Sequence, residues 1–300
     1  MHDYLRAIGF SSIHNKKDME HLVQLVLARP DSEFDAPRCG QMAAFGEKTR
    51  EFLPHTGIAV RGEIDDSGRF MYEYDFPYIT GQQLSLVHDI SLEKMADRED
   101  YTGVGYDVTS YGVSLVFHMN RLRDYTDSIA FLCENQSRDG ETVVMEHLPI
   151  ALSALSISGT VLLPLERRQK KEDVGGGDER SRMIAAARRG DQSAIENLTL
   201  EDIDMYALIS KRLKNEDIFE IVDTSFMPYG ISCDHYSILG DILSCQECIN
   251  QITGESVYQM TVNANGVVLD VCINSTDLLG EPAEGRRFRG IVWLQGCRAF

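Results

Sequence analysis

Apolar residues recur with a period of two over several stretches of this chain. Ile58, Val60 and Ile64 alternate with Ala59, Arg61 and Glu63. After the turn Asp65-Asp66-Ser67-Gly68, Phe70, Tyr72, Tyr74 and Phe76 alternate with Arg69, Met71, Glu73 and Asp75. Successive strand residues face opposite sides, so this pattern predicts a hairpin with one apolar face. Val113, Leu115, Phe117 and Met119 repeat the period. The polar, acidic stretch from Ser91 to Asp107 reads as helix plus loop.

Helical spacing appears near the start. Met19, Leu22, Val23 and Val26 fall on one helical face, and Pro30 ends that helix because it cannot donate to the ladder. The opening residues therefore read as two short helices. Residues 166–182 combine dense charge with Gly175-Gly176-Gly177, which disfavours regular structure and predicts a flexible linker. Beyond it, Ser193 with Glu196 and Thr199 with Asp202 have capping-box spacing, placing helix starts near Ala194 and Leu200.

The last seventy residues read as β. Tyr236–Ile249 and Val257–Asn263 are strand-like, Asn265-Gly266 is a tight-hairpin dipeptide, and Val267, Leu269, Val271 and Ile273 mark a third strand. A final strand, Gly290–Gly296, holds the sole tryptophan. The expected fold is α+β: N-terminal helices with an antiparallel sheet, then a helical segment and a small antiparallel β-barrel or curved sheet. The expected organisation is an α+β domain over 1–165, the linker over 166–182, and a helical segment plus β-rich unit over 183–300.

Composition changes this picture little. The 300 residues are 43% hydrophobic and 25% charged, which is ordinary for globular chains. The net charge of −18 is spread over both halves. Such a field repels phosphate backbones and anionic lipid, so neither nucleic acid nor a membrane surface is an expected partner. Leu148–Leu165 carries no charge and precedes Arg167, Arg168, Lys170 and Lys171. Its prolines and serines, and its short length, make it a buried core segment ending in a strand near Ile157–Leu163 rather than a membrane span. The seven cysteines are odd in number, and the N-terminus lacks a secretory pattern, so a reducing cytoplasm is the expected setting.

Catalytic signatures fail one by one. Cys245 and Cys248 have metal-ligand spacing, but no second pair exists and strand residues three apart face opposite ways. Gly103-Val-Gly105 lacks the third glycine of a dinucleotide loop. No Gly-x-Ser-x-Gly or His-Glu-x-x-His occurs. The adjacent pairs Asp234-His235 and His88-Asp89 read as loop residues. No catalytic residue, metal or cofactor is therefore expected.

One cluster runs against the charge. Arg286, Arg287 and Arg289 lie close to Trp293 in an acidic chain. Guanidinium groups bind carboxylate or phosphate and stack on aromatic rings, so these four residues are the expected ligand-binding set. The alternative is that the arginines pair internally with Glu281, Glu284 or the acidic helical segment. The primary reading is a non-catalytic binding or regulatory protein taking a protein partner or a small anionic ligand on its C-terminal β-rich module. A second is a cation-assisted hydrolase using Asp97, Glu99, Asp100 and Asp107 in an interdomain cleft. A third, weaker one is an RNA-associated barrel.

Ile218–Tyr236, continuing through Ser-Ile-Leu-Gly, and Leu278–Gly296, with its Arg-Arg-Phe-Arg-Gly-Ile-Val-Trp core, resemble the bacterial family called domain of unknown function 3881. Members are similar in length, so the resemblance covers the chain. It implies no established activity and assigns no functional residue. It does imply an anaerobic Gram-positive source and a cytoplasmic location.

Overall fold

The computed structural model describes residues 3–36, 44–94, 100–106, 108, 114–121, 123, 143–164, 186, 191–193 and 222–299. The chain divides into two units: Met1–Leu163 with Thr224–Phe300, and Pro164–Asp223. In the second unit few residues are described; there Ser193 N donates to Asp191 Oδ1 at 3.0 Å. The helical segment expected after residue 181 and the linker expected over 166–182 fall almost wholly outside the described residues.

In the first unit a 3-10 helix, Asp3–Ile8, precedes helix α1, Lys16–Ala28. Asn15 caps α1 by accepting from Asp18 N at 2.9 Å, satisfying one orphan amide of the first turn. Met19, Leu22, Val23 and Val26 are its buried residues, which is the face their spacing defines.

Four antiparallel strands form a small sheet in sequence order: β1 Ser32–Ala36, β2 Ala44–Leu53, β3 Thr56–Ile64 and β4 Phe70–Ile79. The β3–β4 hairpin turns where Asp65 Oδ1 accepts from the amides of Ser67 and Arg69. One face of this sheet packs on α1 through Phe52, Ile58 and Val60, and Arg50 Nη1 donates to Leu25 O at 2.7 Å. The opposite face carries Glu47, Gly57, Ala59, Arg61, Tyr74, Phe76 and Tyr78, as the pairings Glu47 with Arg61, Arg61 with Tyr74, Ala59 with Phe76 and Gly57 with Tyr78 require. That face packs on a second sheet, so both sides of β3 are buried.

The second sheet has ten strands. They are β5 Leu86–Lys94, β6 Tyr101–Gly105, β7 Leu115–Met119, β8 Val143–Leu162, β9 Ser225–Pro228, β10 His235–Ile249, β11 Ser256–Ala264, β12 Val267–Asn274, β13 Leu278–Leu279 and β14 Arg287–Arg298. Asn265 and Gly266 both have positive φ and join β11 to β12 in a two-residue turn. The pairings close two circuits. One runs β8–β14–β10–β11–β12 and back to β8; the other runs β8–β5–β6–β7–β14 and back to β8. The antiparallel β8–β14 pair belongs to both, because β8 is 20 residues long and spends its two ends on different neighbours. Leu152, Ala154, Val292 and Leu294 from the shared pair join residues of both circuits in one core.

The α+β class expected from the sequence is therefore corrected: the described residues are mostly strand, in two large sheets, and the described helices of the first unit are α1 and short 3-10 turns. Among its described residues the stretch Ser91–Asp107, read as helix plus loop, holds the end of β5 and all of β6, with Gly103 and Gly105 on β6. Strands from either side of residues 166–182 interleave, since β14 pairs with β8 from Ile150 to Leu162. No helix of the described residues is long and apolar enough to cross a membrane.

Candidate functional site

The structure does not bring the four expected binding residues together. Arg287, Arg289 and Trp293 fall on the same side of β14 by strand parity, but four residues separate Arg289 from Trp293, or about 13 Å. Arg287 is buried and its Nε donates to Leu163 O at 3.2 Å. Arg286 Nη1 donates to Glu281 O, a carbonyl rather than the expected carboxylate. Arg289 is exposed. Trp293 is 4% exposed, and its indole N–H donates to Asp234 Oδ2 at 2.7 Å. Its ring lies 5.6 Å from Tyr4 and 5.1 Å from His118, so both core layers hold it.

Asp234 also accepts from His235 Nδ1 at 2.8 Å. Burial opposes its ionisation, but the hydrogen bonds from His235 and Trp293 outweigh that and hold its pKa below the ordinary carboxylate value. A carboxyl with a depressed folded pKa stabilises the fold above its unfolded pKa, about 3.9, and that contribution is lost as pH falls through the folded value. Asp234→Asn should therefore flatten the decline of Tm as pH falls below about 4. Parallel declines in wild type and variant would refute this assignment.

A buried charge network that the sequence reading missed lies between the sheets. Arg61 is fully buried. Its Nε donates to Glu47 Oε2 at 2.7 Å, its Nη1 to Asp100 Oδ1 at 2.8 Å and to the Tyr74 hydroxyl at 3.2 Å, and its Nη2 to Met119 O at 2.9 Å. The guanidinium also sits over the Phe76 ring, 4.6 Å from its centroid. Burial works against its charge, but Tyr74, Glu47 and Asp100 outweigh burial and hold its pKa above the ordinary value. Tyr74 remains a neutral phenol because burial raises its own pKa. Glu47 and Asp100 are the carboxylates paired with the guanidinium.

Asp100 Oδ1 also meets His118 Nε2 at 2.7 Å and accepts from Tyr101 N at 3.0 Å. A carboxylate only accepts, so Nε2 carries the proton in that contact. His118 Nδ1 and Asn120 Oδ1 are buried and have no hydrogen-bond partner among the described residues. Asn120 Nδ2 and Ser153 Oγ both donate to Ile79 O, and Gln295 spans Pro77 O and Ile79 N. These contacts pin β4 to the large sheet and hold Asn120, just after β7, in place.

That anchoring shapes a cleft of about 320 Å³ beside the network. Its floor is the inner face of the small sheet: Ser32 and Phe34, then Glu47, Thr49 and Glu51, with Tyr78 and Thr80. At Gly57 β3 approaches β2 so closely that a Cβ would meet Arg50 O at 1.9 Å. Arg121 and Arg123 line the cleft from the segment after β7, and His55 and Gln82 complete it. Arg123 Nη1 lies 3.4 Å from Ser32 Oγ. The cleft offers guanidinium groups, hydroxyls and carboxylates on a rigid sheet face.

For the hydrolase reading, Asp97, Glu99 and Asp107 lie outside the described residues, and Asp100 is engaged by Arg61 and His118. Among the described residues no three His, Cys, Asp or Glu side chains are grouped to hold a metal ion. Cys245 packs against the core of the large sheet and Cys248 against the other cluster, the opposite-face arrangement their spacing dictates.

Compared with known families, the chain matches over residues 5–296 the family described as "Domain of unknown function, E. rectale Gene description (DUF3881)". No curated protein and no solved structure matches it.

Proposed function

The chain belongs to the family of domain of unknown function 3881, and we propose that it is a non-catalytic binding protein that holds a small anionic ligand in the cleft after β7. The observation that carries this reading is the convergence of Arg121 and Arg123 with Ser32, Thr49 and Thr80 on one cavity. Guanidinium forks and hydroxyl donors together suit carboxylate or phosphate. The volume lies at the low end of small-molecule sites, which fits a metabolite and not a macromolecule. The reading shifts the binding role from the C-terminal arginines and Trp293 to this cleft, because Trp293 and Arg287 are buried.

Thermal shift with phosphate, succinate and citrate tests it. A ligand present at a hundred times its Kd stabilises by about 2.7 kcal/mol. At least one of the three anions should raise Tm by several degrees. The Arg121→Ala/Arg123→Ala variant should lose that rise, measured against its own ligand-free Tm. Equal shifts in variant and wild type, or no shift from any anion, would sink the reading.

A further inference from the structure

We propose that a buried water molecule binds between β4 and the end of β7, donating one hydrogen to His118 Nδ1 and the other to Asn120 Oδ1. The proposal stands apart from the anion reading of the cleft. It comes from the hydrogen bonds that this layer makes and from the two acceptors they leave over.

Residues two apart on extended backbone share a side. His118 is the register partner of Gln295 on β14, and Asn120 N donates to Gly296 O at 3.1 Å, so the backbone stays extended along β14 through both residues. Both side chains reach β4. The His118 ring meets Phe76 edge-on, with centroids 4.5 Å apart, and Asn120 Nδ2 donates to Ile79 O at 2.8 Å. His118 is 5% exposed and Asn120 is fully buried.

Each side chain has one polar end engaged and one left over. His118 Nε2 carries its proton to Asp100 Oδ1 at 2.7 Å, which leaves Nδ1 as the acceptor of that tautomer. Asn120 Nδ2 is fixed by Ile79 O, which leaves Oδ1 as an acceptor. Neither acceptor has a partner among the described residues. Turning the Asn120 amide over gives no remedy, because Oδ1 would then face Ile79 O, acceptor against acceptor. Nearby donors with a single hydrogen are committed: Ser153 Oγ to Ile79 O and the Trp293 indole to Asp234 Oδ2.

Buried acceptors are almost always paired, because losing water without a replacement is costly. The partner here must bring two hydrogens. It must be small, since the Phe76 and Trp293 rings both pack on His118. It must be uncharged, since an imidazole nitrogen and an amide oxygen offer no countercharge. Water meets all three conditions, and buried waters characteristically join polar groups of this kind. The site is one residue from the cleft along both strands: Asn120 precedes Arg121, and Ile79 lies between Tyr78 and Thr80.

The test uses the full chain in two measurements. A crystal structure at a resolution that shows ordered solvent should place one water within hydrogen-bond distance of both His118 Nδ1 and Asn120 Oδ1. A long-range nitrogen–proton histidine spectrum in solution should show His118 with its proton on Nε2 and none on Nδ1. A protein donor at that position, no density there, or a water that reaches only one of the two atoms would overturn the proposal. So would a proton on Nδ1, since that nitrogen could then donate to Asn120 itself.

Discussion

Arg61→Met should lower the unfolding free energy by about 3–5 kcal/mol, because it leaves two buried carboxylates without their cation. Glu47 and Asp100 are 4% and 2% exposed, so water cannot replace the guanidinium. The loss includes the hydrogen bonds to Tyr74 and Met119 O and the packing over Phe76. Neutralising the orphans should recover part of it. The triple variant Arg61→Met/Glu47→Gln/Asp100→Asn should be more stable than Arg61→Met alone, since uncompensated charge is the main cost. Urea unfolding monitored by Trp293 fluorescence reads both values. A single variant within about 1 kcal/mol of wild type would mean that the network does not hold the sheets together.

The second large effect concerns Phe288. Its ring lies over Gly159 and Gly290, which are register partners on β8 and β14. A Cβ on Gly290 would meet the ring at 2.5 Å, and one on Gly159 would meet it at 2.6 Å. Phe117 repeats the arrangement in the other circuit, where a Cβ on Gly103 or on Gly296 would meet its ring at 2.5 Å. An aromatic ring thus fills the space that two glycines leave. Phe288→Ala should cost about 3–5 kcal/mol through the cavity it opens. Gly290→Ala alone should cost about 1–3 kcal/mol by overpacking. In the Phe288→Ala background the same Gly290→Ala change should become neutral or stabilising, because the added methyl enters the cavity. A double-mutant cycle with additive losses would refute the packing argument.

These two cases show what could be read from the chain and what could not. Alternation made β3, β4 and β12 legible, and Asn265-Gly266 marked its turn. Leu148–Leu165 was legible as core only in its first half: Leu148 and residues 150–156 are buried, Leu163 is exposed, and β8 begins earlier, at Val143. Arg61 was misplaced for a physical reason. It alternates with Ile58 and Val60, so a sheet with one solvated face would put it in water. The second sheet buries that face, and nothing local in β3 announces a distant layer. Glu47, Asp100 and His118 come from β2, the start of β6 and β7, so no short motif could join them. Gly103-Val-Gly105 drew attention as a fragment of a dinucleotide loop, whereas Gly103 gives room to Phe117. The arginines near Trp293 were legible as a cluster, but strand geometry spreads them out.

The shared β8–β14 pair also has a consequence for assembly during synthesis. It couples Ile150 to Arg298, so its partners emerge from the ribosome far apart in time. Neither circuit can close until β14 is made, and the whole of Pro164–Asp223 is made in between. Until then the uncharged stretch of β8 from Ile150 to Leu162 exposes a strand edge that invites pairing with other chains. Closing so long a loop is slow, because its entropy is lost before any contact rewards it. β14, which follows the other described strands in the chain, is therefore the one that commits both circuits to the native state.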